Sequence, residues 1–320
     1  MNAAPLDALT FGETMLSFQV DGALTSGGQA RTAVAGAESN VAVGLARLGH
    51  HVGWAGRLGA DEPGRMILRT LRGEGVHVDH ATTDPDAPTG SLMRERRVAD
   101  LARVHYWRAG SAASRMQPPH VKSALAAGAR LLHLTGITCA LGPGPLESVR
   151  TAAGYAAEHG WTVSFDVNHR TRLWDTAAAS AALRPLLGLI DIVIASDDEL
   201  PLIAGEPGTP EHDRVAELLA QGVREVVVKR GAQGADLYLR ADQAVHTPAH
   251  PVPVADTVGA GDAFCAGYLS GVLDELSPEQ RLHRATRTAA FAVATPGDWE
   301  GLPHRDELSL LDAAPGATVR

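Results

Sequence analysis

With 320 residues, 45% of them hydrophobic and 20% charged, the chain is long enough to bury a large core, and its formal net charge of −9 argues against non-specific binding to nucleic acid or an anionic membrane surface. Of 28 basic side chains only two are lysine, Lys122 and Lys229, and the two cysteines, Cys139 and Cys265, lie far apart in apolar surroundings, which reads as reduced core thiols rather than a disulfide framework or a metal site. Met1 to Asp7 lack the basic start and apolar core of a signal peptide, and no uninterrupted apolar run reaches membrane-spanning length, so a soluble cytoplasmic protein is expected.

Residues 8–18 read as a first strand interrupted by Glu13, and 20–35, rich in Gly, Thr and Ser, as a hairpin or loop. Gly36-Ala37-Glu38-Ser39-Asn40 then leads into Val41 to Gly49, which has helical apolar spacing and a closing glycine. His51 to Leu58 returns as a strand, and Asp61 to Glu74 as a helix ended by Gly75. Ser91 to Arg97 and Arg103 to Arg108 alternate around Ala99-Asp100 with charges too dense for a central sheet, so they read as a solvated hairpin. Together with the earlier hairpin it forms a small β-layer, a lid made of approximately 14–35 and 88–109 on one domain spanning 1–320.

From Leu131 the β-α alternation resumes: strand Leu131 to Leu134, helix Pro145 to His159, and strands Trp161 to Asp166, Ile190 to Ala195 and Glu225 to Lys229. Near-continuous apolar strands between helices imply an α/β fold with a mostly parallel sheet covered on both faces. Such sheets bind ligands beyond their strand C-termini, where Asn168 to Arg170, Ser196 to Glu199 and Lys229 to Gly234 fall.

Asp256-Thr257-Val258-Gly259-Ala260-Gly261-Asp262-Ala263-Phe264 concentrates glycines, two carboxylates and a helix start ahead of the apolar run Ala263 to Leu269. Unpaired N–H groups and the helix dipole at such a start attract phosphate, although an ordinary glycine-rich cap has the same composition. No lysine follows a glycine, which excludes a P-loop, and no GxGxxG opens a βαβ unit. His304-Arg305-Asp306 mimics a protein-kinase catalytic loop without its downstream partners, and His77/His80 reads as a solvated turn rather than a metal site.

The stretch from Asp256 to Phe264 resembles the C-terminal signature of the ribokinase-like (PfkB) sugar kinases, and Gly36 to Gly49 their N-terminal signature, with Ala35 where the family commonly has the first of two glycines. Within that family the chain is most similar to 2-keto-3-deoxygluconate kinases, on His105 to Ala112, Asp166 to Arg170 with Leu173-Trp174, and Pro296 to Pro303. The resemblance implies a three-layer ribokinase-like fold with a β-sheet lid, and ATP-dependent phosphorylation of the 6-hydroxyl of that sugar acid. Asp262 would be the base, with an anion hole at Gly259, Ala260 and Gly261. Gly36, Tyr106, Arg108 and Arg170, with Asn40, would contact the sugar acid.

For the nucleotide, Lys229-Arg230-Gly231-Ala232-Gln233-Gly234 resembles the family's ATP-binding turn, and Asn168 would approach the phosphates. Ser196 and Thr286 stand where relatives often carry Asn, and Glu199 keeps the carboxylate that organises magnesium. A monovalent cation such as K+ is implied at Asp256 and the loop Ala294 to Asp298, and a homodimer through the lid is expected. Arg supplies the charged planar fork a carboxylate ligand needs, yet Arg108 also reads as a solvated lid charge, Arg170 as a partner of Asp166 or Asp175, and Tyr106 as an apolar lid contact. A fructokinase or ribokinase is the alternative activity, and a non-catalytic sugar-acid or nucleotide sensor the alternative class.

Overall fold

The computed structural model describes residues 5–98 and 101–313. In chain order its strands are β1 (Leu6–Phe11), β2 (Met15–Asp21), β3 (Ala30–Ala35), β4 (Val52–Ala55), β5 (Arg57–Gly59), β6 (Thr82–Asp84), β7 (Ser91–Val98), β8 (Leu101–Trp107), β9 (Ala129–Thr135), β10 (Thr162–Asp166), β11 (Ile192–Ser196), β12 (Glu225–Lys229), β13 (Ala235–Arg240) and β14 (Gln243–Thr247). The helices are α1 (Ala37–Arg47), α2 (Glu62–Gly73), α3 (Lys122–Ala127), α4 (Gly136–Ala140), α5 (Pro143–Glu158), α6 (Thr176–Leu183), α7 (Leu200–Ile203), α8 (Glu211–Ala220), α9 (Ala260–Leu273) and α10 (Pro278–Val293).

Apolar runs too short for helices pair into an eight-stranded sheet of order β14-β13-β12-β11-β10-β9-β1-β4, parallel from β4 to β12 and closed at one edge by antiparallel β13 and β14. Burial on both faces requires apolar side chains on both, and two core clusters result. One packs Leu9, Phe11 and Phe165 against α3, α5 and α6; the other packs Ala8, Val52 and Ile194 against α1, α2, α9 and α10. Each fully buried Val, Leu or Phe contributes ~1.5–3 kcal/mol. The expected three-layer arrangement is therefore what the chain adopts.

A second, four-stranded sheet of order β3-β2-β7-β8 is built from the two expected lid segments. The strand expected over 8–18 is in fact two, β1 in the main sheet and β2 in the lid, with the switch at Gly12-Glu13-Thr14. A side chain at Gly12 would lie 2.2 Å from the Glu38 carboxyl, so the chain turns where only glycine passes. His51 to Leu58 likewise divides into β4 and β5, and β5 pairs with β6. The expected hairpin turn at Ala99-Asp100 lies outside the described residues. Cys139 and Cys265 are both free and buried. Among the described residues no helix is long and apolar enough to cross a membrane.

Candidate active site

Strands β1, β9, β10, β11 and β12 all point their carboxyl ends at one edge of the sheet, where α9 begins. Helix α9 is buried almost all round, between α1 and α10, which explains its small apolar composition. At Gly267 a Cβ would lie 2.7 Å from Thr288 Oγ1 and 2.8 Å from Ala285 Cα, so glycine lets α10 pack close and pins the axis of α9. Its N-cap, Gly259, has φ 75°, and a Cβ there would stand 1.9 Å from the Asp298 carbonyl oxygen. The first-turn amides of α9 therefore open towards the sheet edge, with the positive end of the helix dipole behind them.

Asp262 sits in that first turn, buried, and two side-chain amides hold its carboxylate. Asn40 Nδ2, on α1, donates to Oδ2 at 2.7 Å, and Asn168 Nδ2, just beyond β10, donates to Oδ1 at 3.4 Å. Burial pushes the Asp262 carboxyl up to about 6, opposed by the Asn40 hydrogen bond and the charge of Arg170. Asn168 has φ 40°, the left-handed conformation that Asn tolerates best among non-glycine residues. Glu38, two residues before Asn40, is buried nearby and accepts from Thr135 Oγ1 at 2.6 Å and Thr138 Oγ1 at 2.5 Å. Burial raises its carboxyl to about 7, and the Asp262 charge adds to the effect.

Three cavities meet here. A 460 Å³ cavity between lid and sheet is lined by Arg94, Tyr106, Arg170, Lys229, Gly261 and Asp262, among others. Through Tyr106, Arg170 and Glu199 it adjoins a 920 Å³ cleft that also includes Arg108 and Arg172. Through Lys229, Thr257 and Gly261 it adjoins a 590 Å³ cavity with largely apolar walls that include Phe264, Ala289 and Val293, together with Gly231, Gly234 and Thr286. The anion loop stands at the junction of a polar, arginine-lined space and an apolar slot, which suits a charged acceptor on one side and a flat base on the other.

On the polar side Arg170 is exposed and, among the described residues, makes no ion pair; Asp166 pairs with Lys229 at 2.8 Å, and Asp175 instead caps α6 through the Ala178 amide. Arg108 is half committed: it pairs with buried Glu13, and its guanidinium lies 5.3 Å from the Tyr106 ring centroid. Burial raises the Glu13 carboxyl despite that arginine. Gly36 caps α1, and a Cβ there would meet the Glu13 carbonyl at 2.5 Å, so the chain rather than a ligand demands glycine.

On the apolar side, Lys229 lines both the central cavity and the slot. Its partner Asp166 also accepts from Cys265 Sγ at 3.4 Å, so this thiol is not in the purely apolar setting its neighbours suggested. Gly231 and Gly234 have φ 55° and 98° in the turn after β12, and Thr286 Oγ1 donates to the His283 carbonyl at 3.1 Å. Ser196 Oγ donates to Asp198 Oδ1 at 2.5 Å. Both Glu199 oxygens accept main-chain N–H groups, from His169 at 2.7 Å and Ser196 at 2.9 Å.

The structure thus gathers Asn40, Tyr106, Arg108, Asn168, Arg170, Ser196, Glu199, Lys229 and Asp262 at one edge, while Asn40 and Asn168 face the Asp262 carboxylate rather than standing apart as separate ligands. Asp256 is placed behind the anion loop, where both its oxygens accept from Arg94. Arg94 and Glu38 were not singled out by the sequence: Arg94 sits in a run of similar charges, and Glu38 reads as an ordinary acid in a helix's first turn.

The sequence model of the pfkB family carbohydrate kinases matches residues 6–305. A 2-dehydro-3-deoxygluconokinase of Bacillus subtilis (strain 168) is 37% identical over 314 residues, 97% of this chain and 96% of its own length. One of Thermoproteus tenax is 37% identical over 289 residues, 88% of this chain and 86% of its own. The crystal structure of a PfkB protein from Polaromonas sp. JS666 matches with a TM-score of 0.84 at 36% identity, covering 95% of this chain and 99% of that one. With an anion loop, a held carboxylate and a match from end to end of the fold, the chain belongs to the pfkB family of carbohydrate kinases.

Proposed function

We propose that this carbohydrate kinase transfers the γ-phosphoryl group of ATP to the 6-hydroxyl of 2-keto-3-deoxygluconate, the sugar acid in the names of the Bacillus and Thermoproteus relatives. The observation that carries the reading is Asp262 itself, held by two amides in the first turn of α9 where a polar and an apolar cavity meet. The acceptor hydroxyl attacks the γ-phosphorus in line as its proton passes to an Asp262 oxygen, the bond to the β–γ bridging oxygen breaks, and ADP leaves. Amides of Gly259, Ala260, Gly261 and Asp262 meet the charge spread over the transferring group, and Lys229 supplies a fixed positive charge beside them. Adenine takes the apolar slot past Gly231, Gly234 and Thr286.

Magnesium fits as an ion carried in on the phosphates. Among the described residues no cluster of three metal-ligating side chains exists, and Glu199, with lone pairs to spare beyond its two backbone hydrogen bonds, is the carboxylate placed to hold the ion or its water shell. Bound there, Mg2+ would neutralise phosphate charge. Arg170 and Tyr106 orient the acid end of the sugar, with Arg108 joining them through donors that Glu13 leaves free. The free edges of the lid sheet and Trp107, 55% exposed on β8, suit a homodimer, which mass in solution would test.

Asp262→Asn is expected to fold and to bind ATP with little change while kcat falls by ~10²–10⁴-fold, the range for loss of a general base. Near-normal turnover would remove Asp262 from the role. A neutral-sugar kinase, such as a fructokinase or ribokinase, is the second reading, and the Arg108–Glu13 pair favours it, because a neutralised arginine has less charge to offer a carboxylate. A sensor without catalysis is opposed by the intact base and anion loop.

A further inference from the structure

Arg94 takes no part in the transfer steps above, yet it is placed unlike Arg31 and Arg103 of the same sheet. Arg31 and Arg103 on the same sheet are exposed, whereas Arg94 is 8% exposed and reaches from β7 through the lid to the rear of the anion loop. Its Nη2 donates to Asp256 Oδ1 at 3.0 Å and Oδ2 at 2.7 Å, and Nη1 donates to Asp298 Oδ1 at 3.0 Å. These two aspartates flank the loop: Asp256 Oδ1 also accepts the Val258 N–H at 3.1 Å and Oδ2 the Gly297 N–H at 3.4 Å, while the Asp298 carbonyl packs against Gly259, where a Cβ would stand 1.9 Å away. Two carboxylates 7% and 8% exposed need a compensating cation, and this one is covalently part of the lid.

We infer that Arg94 is a positioning residue, a tethered cation that holds Asp256 and Asp298 on either side of Gly259, makes the phosphate-binding form of the anion loop conditional on a seated lid, and takes the place of a freely exchanging monovalent cation. Closure of the lid over a sugar then brings the charge that completes the loop, so acceptor binding and phosphate activation are coupled through one side chain. Asp298, whose carboxyl burial raises to about 7, depends on the same guanidinium. The inference rests on the kinase reading for its catalytic arm and on geometry alone for its stability arm.

The test compares wild type, Arg94→Lys and Arg94→Met in KCl, in choline chloride of equal ionic strength, and in choline chloride with a little guanidinium, by ADP release and by thermal unfolding. Wild type should be indifferent to the exchange of KCl for choline chloride in both measurements. Arg94→Met should lose about 100-fold in kcat, the scale of a small misplacement of catalytic groups, with a smaller change in the sugar KM. KCl or guanidinium should restore at least part of that loss and raise the melting temperature of Arg94→Met but not of wild type. Arg94→Lys should fall between. The inference is overturned by a wild type that melts higher or turns over faster in KCl, by an Arg94→Met whose defect is confined to the sugar KM, or by a folded Arg94→Met that neither cation stabilises. If no sugar turns over with wild type, the kinase reading fails, and the melting comparison still judges Arg94.

Discussion

A carboxylate that accepts hydrogen bonds from two side-chain amides has its orientation fixed but its charge only partly compensated, and that is the condition of Asp262. Burial holds its carboxyl near 6, so the proposed base is ionised at neutral pH and still accepts a proton readily. The logarithm of kcat/KM should therefore be level above about pH 7 and fall with unit slope below about pH 6; a profile level down to pH 5 would contradict the assignment. Glu38 supplies the stability counterpart. Its folded-state carboxyl, at about 7, lies above the unfolded value near 4.3, so its favourable contribution is full below that value and is lost as pH rises through about 7. Glu38→Gln should thus raise the unfolding free energy measured in urea at pH 8, by up to about 3 kcal/mol, and have little effect near pH 5; equal effects at both would refute the buried-charge account. Asp262 was legible because its loop has a dense local signature. Glu38 was not, because an acidic residue in a helix's first turn ordinarily reads as a dipole partner, and only the fold shows Gly12 and two threonines closing over it.

At the scale of elements, helix α9 and the loop before it behave as one rigid part. Its core-facing surface was readable from small apolar residues, and its start was readable from Gly259 to Asp262. Gly259→Ala forces a left-handed conformation on an L side chain, a cost of ~1–2 kcal/mol, and drives Cβ into the Asp298 carbonyl. A lower urea midpoint and a kcat reduced by ~10²–10³-fold are expected, the scale of losing an oxyanion donor; a variant with wild-type midpoint and rate would mean the loop is not built as described. Strands β7 and β8 were legible as charged alternating segments and β3 as part of a Gly-rich hairpin or loop, but the break between β1 and β2 was not. Glu13 reads as one polar interruption within a single strand, and the change of sheet depends on Gly12 meeting Glu38 from another element. Arg94 was hidden for a related reason: inside Arg94-Glu95-Arg96-Arg97 each basic residue looks like solvated lid charge, and burial of one is decided by what the lid folds onto.

Across the whole molecule, the parallel sheet sets the direction of every functional segment, so the strand order that follows from β-α alternation already places the site at the carboxyl edge. The antiparallel β13 and β14 escaped the reading because half-exposed strands lack the continuous apolar run of the central ones. What composition cannot convey is how three cavities join around Asp262, because the central one draws its lining from Leu92 through Asp298, segments far apart in the chain. The division of labour proposed among them, acid recognition, transfer and nucleotide, makes the substrate the central claim. ADP release by the wild-type enzyme across 2-keto-3-deoxygluconate, its galactonate epimer, fructose, ribose and adenosine tests it most directly. The account predicts the highest kcat/KM for 2-keto-3-deoxygluconate, with neutral sugars at least about tenfold lower, the equivalent of one charge-assisted hydrogen bond; a preference for fructose, ribose or adenosine, or no turnover of any of them, would contradict it.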